Sequence, residues 1–308
     1  MLFSKKSIGV EISPAGVTFA LMGGGKASPR LERVASRPFV PGTMRVSLRE
    51  PNILDPKGFC DRLTDAHALL LHHGRHLSLA LPDAVGRVLL LDVEGRFKNR
   101  SEGLDIIRWK LKKSMPFDAA DSHLDYQLLR VRESGAMSLL VALVSRTVIG
   151  QYEELCGQAG FIPARIDLNT FNLCRTFEQR LESLRDGVLV SFYDSSLAIM
   201  MFYDGSPEFL RFKDLSGVSP DDSRVFMEIN NSLLVYRERF PERVPQKVVC
   251  IAPPDAARDF CAMVAEAVGT EPALLETKSF VKPSDSAPAD QVSLFPYTAA
   301  IGAAMRSL

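Results

Sequence analysis

The sequence presents one succession of elements twice. In the first pass, 7–13 and 15–22 read as two strands around a bend at Gly16. The run Gly23-Gly24-Gly25-Lys26 turns, and 30–36 reads as a third strand. A helix follows over 56–73, where Phe59, Leu63, Ala66, Leu70 and His73 recur every three or four residues. The chain then returns as a strand over 76–81 that stops at Pro82-Asp83. In the second pass, 187–193 and 196–203 are strands, Asp204-Gly205-Ser206 turns, and 207–213 is the third strand. A helix over 221–239 and a strand over 246–251, stopping at Pro253-Pro254-Asp255, complete it. LSLALPDA in the first half faces KVVCIAPPDA in the second. Two copies of one supersecondary unit predict a duplicated α/β fold.

Between the copies lies an insert over 86–166. It reads as strand (86–93), helix (101–114), strands (123–132 and 136–144), helix (146–159) and strand (161–166), with Gly160 placed as a helix-ending glycine. A helix over 167–184, with Asp167 as its N-cap, connects the halves. The domains read as 1–85 (first core), 86–166 (insert) and 185–308 (second core, with 207–245 as a smaller hairpin–helix portion). A polar loop spans 277–290, and the tail from 293 is helical.

The chain has 308 residues and equal numbers of Lys+Arg and Asp+Glu. That balance lacks the basic footprint of a nucleic-acid binder. Cys60, Cys156, Cys174, Cys250 and Cys261 form no Cys-x-x-Cys pair, which argues against a disulfide framework or zinc knuckle and for a reducing compartment. Glu11 interrupts the apolar stretch after Lys5 and Lys6, so no secretory signal is expected. No apolar run is long enough for a membrane span.

The duplicated strand–hairpin–helix unit with an insert in its first half resembles the actin/ribonuclease H-like superfamily, and the insert position resembles its FtsA branch. Within the insert, IRWKLKKSMPFDAADSHLDYQ over 107–127 is similar to a segment of the type IV pilus PilM proteins, through Trp109, Pro116, Phe117, Asp125, Tyr126 and Gln127. LLVALVSRTVIGQYEELCGQAGFIPARID over 139–167 and PYTAAIGAA from Pro296 are similar to further PilM segments. The resemblance covers most of the chain. It implies a cytoplasmic scaffold, peripheral to the inner membrane, that binds the N-terminal segment of a PilN-like bitopic membrane protein in a groove between first core and insert. The insert edge over 115–126 is the expected region, with Trp109, Met115, Phe117, Leu124 and Tyr126 as partner-binding candidates. Self-association is compatible with this. A GspL-like cytoplasmic domain of type II secretion and an active actin-fold ATPase or kinase are the alternatives.

Actin-fold ATPases hold phosphates in two hairpin turns of the form Asp-x-Gly, where glycine lets backbone N–H groups approach. Here the first turn carries Glu11 and Ser13, and Pro14 removes a donor. The second carries Ser191 and Tyr193, and the adenosine turn carries Pro253 and Pro254. Loss of ordinary MgATP binding is therefore expected, with no catalytic residue and Glu11 on a solvated turn. The surviving alternative is weak, vestigial metal–nucleotide binding at Glu11.

His67, His72, His73 and His76 read as a solvated helix end rather than a metal site, having no thiol or acidic ligand beside them. Gly23-Gly24-Gly25-Lys26 lacks the spacing of a phosphate loop. Arg96, Lys98, Arg100, Arg108, Lys110, Lys112 and Lys113 read either as a solvated face or as one turned to an acidic partner or anionic headgroups. Trp109, the sole tryptophan, reads as an insert anchor or an interface residue.

Overall fold

The computed structural model describes residues 6–25, 28–115 and 118–308. Its strands are β1 (Ser7–Ser13), β2 (Gly16–Gly25), β3 (Ser28–Pro38), β4 (His76–Leu81), β5 (Gly86–Val93), β6 (Ser122–Val131), β7 (Met137–Ser145), β8 (Ile162–Leu168), β9 (Gly187–Tyr193), β10 (Ser196–Tyr203), β11 (Ser206–Asp214), β12 (Lys247–Ile251), β13 (Ala273–Leu274) and β14 (Lys282–Pro283). The helices are α1 (Pro56–Ala68), α2 (Arg100–Leu111), α3 (Arg146–Gln158), α4 (Asn169–Thr176), α5 (Glu178–Glu182), α6 (Ser223–Arg239), α7 (Ala257–Val268), α8 (Gln291–Leu294) and α9 (Thr298–Met305).

The duplication is present. One sheet has the order β14-β3-β2-β1-β4-β8, and the other β11-β10-β9-β12-β13. In each, an antiparallel hairpin is followed by a strand returning parallel to the first: β4 beside β1, and β12 beside β9. Helices cover both faces of the central strands, so β1 and β9 are buried along their whole length.

Side-chain alternation then sorts each central strand into two faces. Ile8, Val10 and Ile12 enter the core under α1 and α3. Gly9 lies on the other face, where α9 passes so close that a Cβ would fall 1.9 Å from the Ala300 carbonyl oxygen. In β9, Val188, Val190 and Phe192 enter the core under α6 and α7. Leu189 and Tyr193 point the other way, into a core shared with α4 and α9.

The structure narrows the insert. β8 pairs parallel with β4, and α3 packs Val148, Ile149, Tyr152 and Leu155 into the first core. The separate sheet is therefore β5-β7-β6, covered by α2 through Gly103, Ile107 and Leu111. A strand's pattern shows which face is apolar but does not name its neighbour, so β8 could be found in the sequence and still be misplaced. Asp167 ends in β8, facing Arg306, and Leu168 stands at the N-cap of α4. The expected connecting helix is two shorter ones, α4 and α5. The tail also differs from its expected home. α9 and β14 return to the first sheet, where Ala300, Ile301 and Ala304 cover Ala20 and Met22.

His67 is not at a solvated end. It is buried, with Nε2 2.8 Å from the Gly74 carbonyl oxygen and its ring against Phe161. Burial pushes its pKa below the usual value. Gly160 lies just past α3 at φ +79°, the left-handed conformation glycine takes most readily. Among the described residues, no helix is long and apolar enough to cross a membrane.

Candidate functional site

Two places bring chemistry-bearing residues together. The first is the seam between the halves. Glu11 shares the α9-facing side of β1 with Gly9, and Tyr193 points from β9 into the same space. The Tyr193 hydroxyl donates to Glu11 Oε2 at 2.7 Å, while Asn169 Nδ2 (3.3 Å) and Thr18 Oγ1 (3.4 Å) also face the carboxyl. The backbone N–H of Ala299 donates to the Tyr193 hydroxyl at 3.4 Å, and the ring packs on Phe295. Glu11 is thus buried at 5% exposure, not on a solvated turn. Burial, and then the charge of Asp194, push its pKa up to about 8.

Beside this contact lies an interlobe cavity of about 270 Å³. Pro14, Ala15, Asp83, Asp194, Ser195, Ser196, Asp214 and Ser216 line it with Val46, Pro82 and Ala84. Asp83 is buried and accepts from the backbone N–H (3.0 Å) and hydroxyl (2.7 Å) of Thr170. Burial, Asp83 and Asp214 raise Asp194 to about 7. Among the described residues, Asp194 Oδ2 has no hydrogen-bond partner.

Ser13 closes the first turn on itself, its Oγ accepting from Ala15 N–H at 3.3 Å. Ser191 is buried on the seam-facing side of β9. Pro253 and Pro254 stand between β12 and α7, where the Pro253 carbonyl accepts from Ala256 N–H, and they do not line the cavity. The residues present fit a magnesium-bound triphosphate poorly. The lining holds three aspartates and no cation, Pro14 offers no donor, Ala15 N–H is taken, and Tyr193 occupies the face of Glu11. Among the described residues, no three His, Cys, Asp or Glu side chains are arranged to hold a metal ion.

The second place is a groove of about 530 Å³ between insert and first core. Consecutive residues of β6, from His123 to Gln127, line one wall, and consecutive residues of β8, from Arg165 to Leu168, line the other. A strand contributes consecutive residues only along its edge, and β6 and β8 are the edge strands of their sheets. Alternate residues of β7 (Leu140, Ala142, Val144) form the apolar floor. Arg100, Arg165 and Arg306 supply cations, and Asp125 and Asp167 supply carboxylates. Asp167 Oδ2 is shielded from solvent and has no hydrogen-bond partner among the described residues, although Arg306 stands 3.5 Å away.

The structure places the partner-binding candidates unequally. Leu124 and Tyr126 line the groove while also packing into the insert core, with Tyr126 against Phe97 and under the Arg100 guanidinium. Met115 is half-buried in the insert core and does not line the groove. Phe117 lies outside the described residues. Trp109 is no insert anchor: it is 76% exposed on the outer face of α2. Its place could have been read from Gly103, Ile107 and Leu111, whose four-residue spacing turns Trp109 away from the core. Asp83, Asn169 and Thr170 were not singled out in the sequence. The Pro-Asp-Ala repeated at 82–84 and 254–256 was the one signal for Asp83, which is buried where Asp255 is exposed, and Asn169 and Thr170 carried none.

No family model and no curated protein matches the sequence. Among solved structures, the chain is similar to PilM in a PilM–PilN type IV pilus biogenesis complex. The identity is 18% over 97% of this chain and 98% of that one, with a TM-score of 0.83. It is also similar to a Bacteroides thetaiotaomicron protein with an actin-like ATPase fold (9% identity, 88% and 90% coverage, TM-score 0.50). The fold is the actin-like ATPase fold. A third likeness within it is the cytoplasmic domain of EpsL, an inner membrane component of the Vibrio cholerae type II secretion system (11% identity, 96% and 95% coverage, TM-score 0.52).

Proposed function

We propose that this chain is a PilM-type scaffold of a type IV pilus inner-membrane platform. In this reading the groove between β6 and β8 takes the extended N-terminal segment of a PilN-like bitopic membrane protein, and the interlobe seam hydrolyses no ATP. The observation that carries the reading is the groove itself. It has two strand edges that offer main-chain hydrogen bonds and an apolar floor that offers side-chain pockets, the physics of β-strand addition. The likeness to PilM over nearly the whole chain supports it. The scaffold would be cytoplasmic and held at the membrane through its partner. The likeness to the EpsL cytoplasmic domain favours a secretion-platform role less, at a TM-score of 0.52 against 0.83.

Calorimetric titration with a synthetic PilN N-terminal peptide tests the proposal. Binding is expected, and Ala142→Arg, which places charge on the groove floor, is expected to weaken it at least about tenfold with an unchanged melting temperature. Equal affinity in the variant would remove the groove from the proposal. Phosphate release from MgATP tests the seam, and turnover above the protein-free rate would overturn the non-hydrolytic reading.

A further inference from the structure

We propose that the end of α2, formed by Trp109 with Lys112 and Lys113, is a contact surface for anionic lipid headgroups. The argument begins with the tryptophan. α2 turns Gly103, Ile107 and Leu111 into the insert core, and this leaves Trp109 outside at 76% exposure. A tryptophan has a large apolar body and one N–H donor, and it settles where an apolar layer meets water.

Charge is segregated around it. The chain as a whole is neutral, yet 106–117 carries Arg108, Lys110, Lys112 and Lys113 and no carboxylate. Arg108 is paired with Asp105, and Lys110 Nζ donates to the Asp92 carbonyl oxygen at 3.0 Å. Lys112 and Lys113 are exposed and form no ion pair among the described residues. They stand three and four residues beyond Trp109, and the backbone N–H of Lys112 bonds to the Trp109 carbonyl oxygen, so the helical path continues and the three share a face.

Lysines near a helix C-terminus also complement its dipole. That accounts for the lysines and not for the outward tryptophan. Residue type favours lipid over an acidic protein as well. Lysine is a hydrated point charge on a flexible stem, suited to mobile headgroups, whereas a fixed carboxylate partner is better met by the rigid fork of arginine. The hollow on the N-terminal side of Trp109 contains Glu102 and Asp105, so the end of α2, rather than its side, would approach the membrane. The inference does not rest on the groove reading, since it concerns the opposite side of the insert core.

Because Trp109 is the only tryptophan, its emission reports on this surface alone. The protein, without any peptide, is titrated with vesicles of equal parts phosphatidylglycerol and phosphatidylcholine. The expected result is a blue shift, co-flotation with the vesicles, and loss of both at high salt. Lys112→Glu with Lys113→Glu is expected to reduce vesicle binding at least about tenfold, with an unchanged melting temperature and unchanged binding of the PilN peptide. Absence of shift and flotation, or equal binding to pure phosphatidylcholine, overturns the proposal. A shift of the same size with poly-glutamate and none with vesicles overturns it in favour of an acidic protein partner.

Discussion

The Tyr193 hydroxyl donates to Glu11 Oε2 across 2.7 Å, and this bond joins the equivalent strands of the two repeats, β9 and β1. In a duplicated fold each half brings its first hairpin to the middle. Here the bulk of Tyr193 in one hairpin meets the carboxyl of Glu11 in the other.

Removing that hydroxyl isolates the bond. Tyr193→Phe keeps the ring on Phe295 but takes the closest donor from Glu11 and an acceptor from Ala299 N–H. Stability is expected to fall by about 1–3 kcal/mol, read from urea unfolding. No change in the midpoint would show that the contact holds nothing together.

The same seam sets a pH dependence. Glu11 is raised from 4.5 to about 8 and Asp194 from 3.8 to about 7, both chiefly by burial. Between the unfolded and folded values the native state keeps protons that the unfolded chain releases. Their stabilisation is therefore complete below the unfolded values and is lost as pH rises through the folded ones, at up to ~1.4 kcal/mol per pH unit for each proton. Urea midpoints are expected to decline from about pH 5 to about pH 8, and Glu11→Gln should flatten part of that decline. A profile rising over this range contradicts the assignment.

The insert is tied to the second half by Glu208 on β11. Its carboxylate lies 3.4 Å from Arg130 on β6 and 3.7 Å from Arg243, and Tyr236 stands within 3.5 Å. Glu208→Gln is expected to cost roughly 1–3 kcal/mol and to speed amide exchange in β5, β6 and β7. Unaltered exchange there would mean that the insert holds its place without this anchor.

Two helical glycines should respond oppositely to the same substitution. At Gly302 a Cβ would fall 1.9 Å from the Asn172 carbonyl oxygen, whereas at Gly150 nothing lies within 4 Å. Gly302→Ala is expected to destabilise by about 1–3 kcal/mol through overpacking. Gly150→Ala is expected to stabilise by up to about 1 kcal/mol through helix propensity. Thermal melts of the two variants give the comparison, and a stabilised Gly302→Ala would rule out the close approach.

The duplication was legible because each repeat writes its hairpin and returning strand in local alternation, from Ile8 to Leu81 and again from Val188 to Ile251. What was not legible depended on neighbours distant in the chain. β8 shows its strand character without showing that β4 is its partner. α9 shows a buried helix without showing that it packs on β1 and β2 while also meeting Tyr193 of β9. Ser13, Tyr193 and Pro253 in their turns could be read residue by residue, but the burial of Glu11 could not, because its partner stands 182 positions away. Trp109 is the reverse case, since the spacing of Gly103, Ile107 and Leu111 already turned it outward.

The return of α9 to the first sheet has a consequence for synthesis. Ala20 and Met22 lie under Ala300, Ile301 and Ala304, residues translated long after them. The first repeat therefore emerges from the ribosome with one apolar face of its sheet uncovered, and it stays so until α9 arrives. Completion of that face in the cell therefore waits for α9, and the exposed apolar surface of a nascent first half is the kind that chaperones shield.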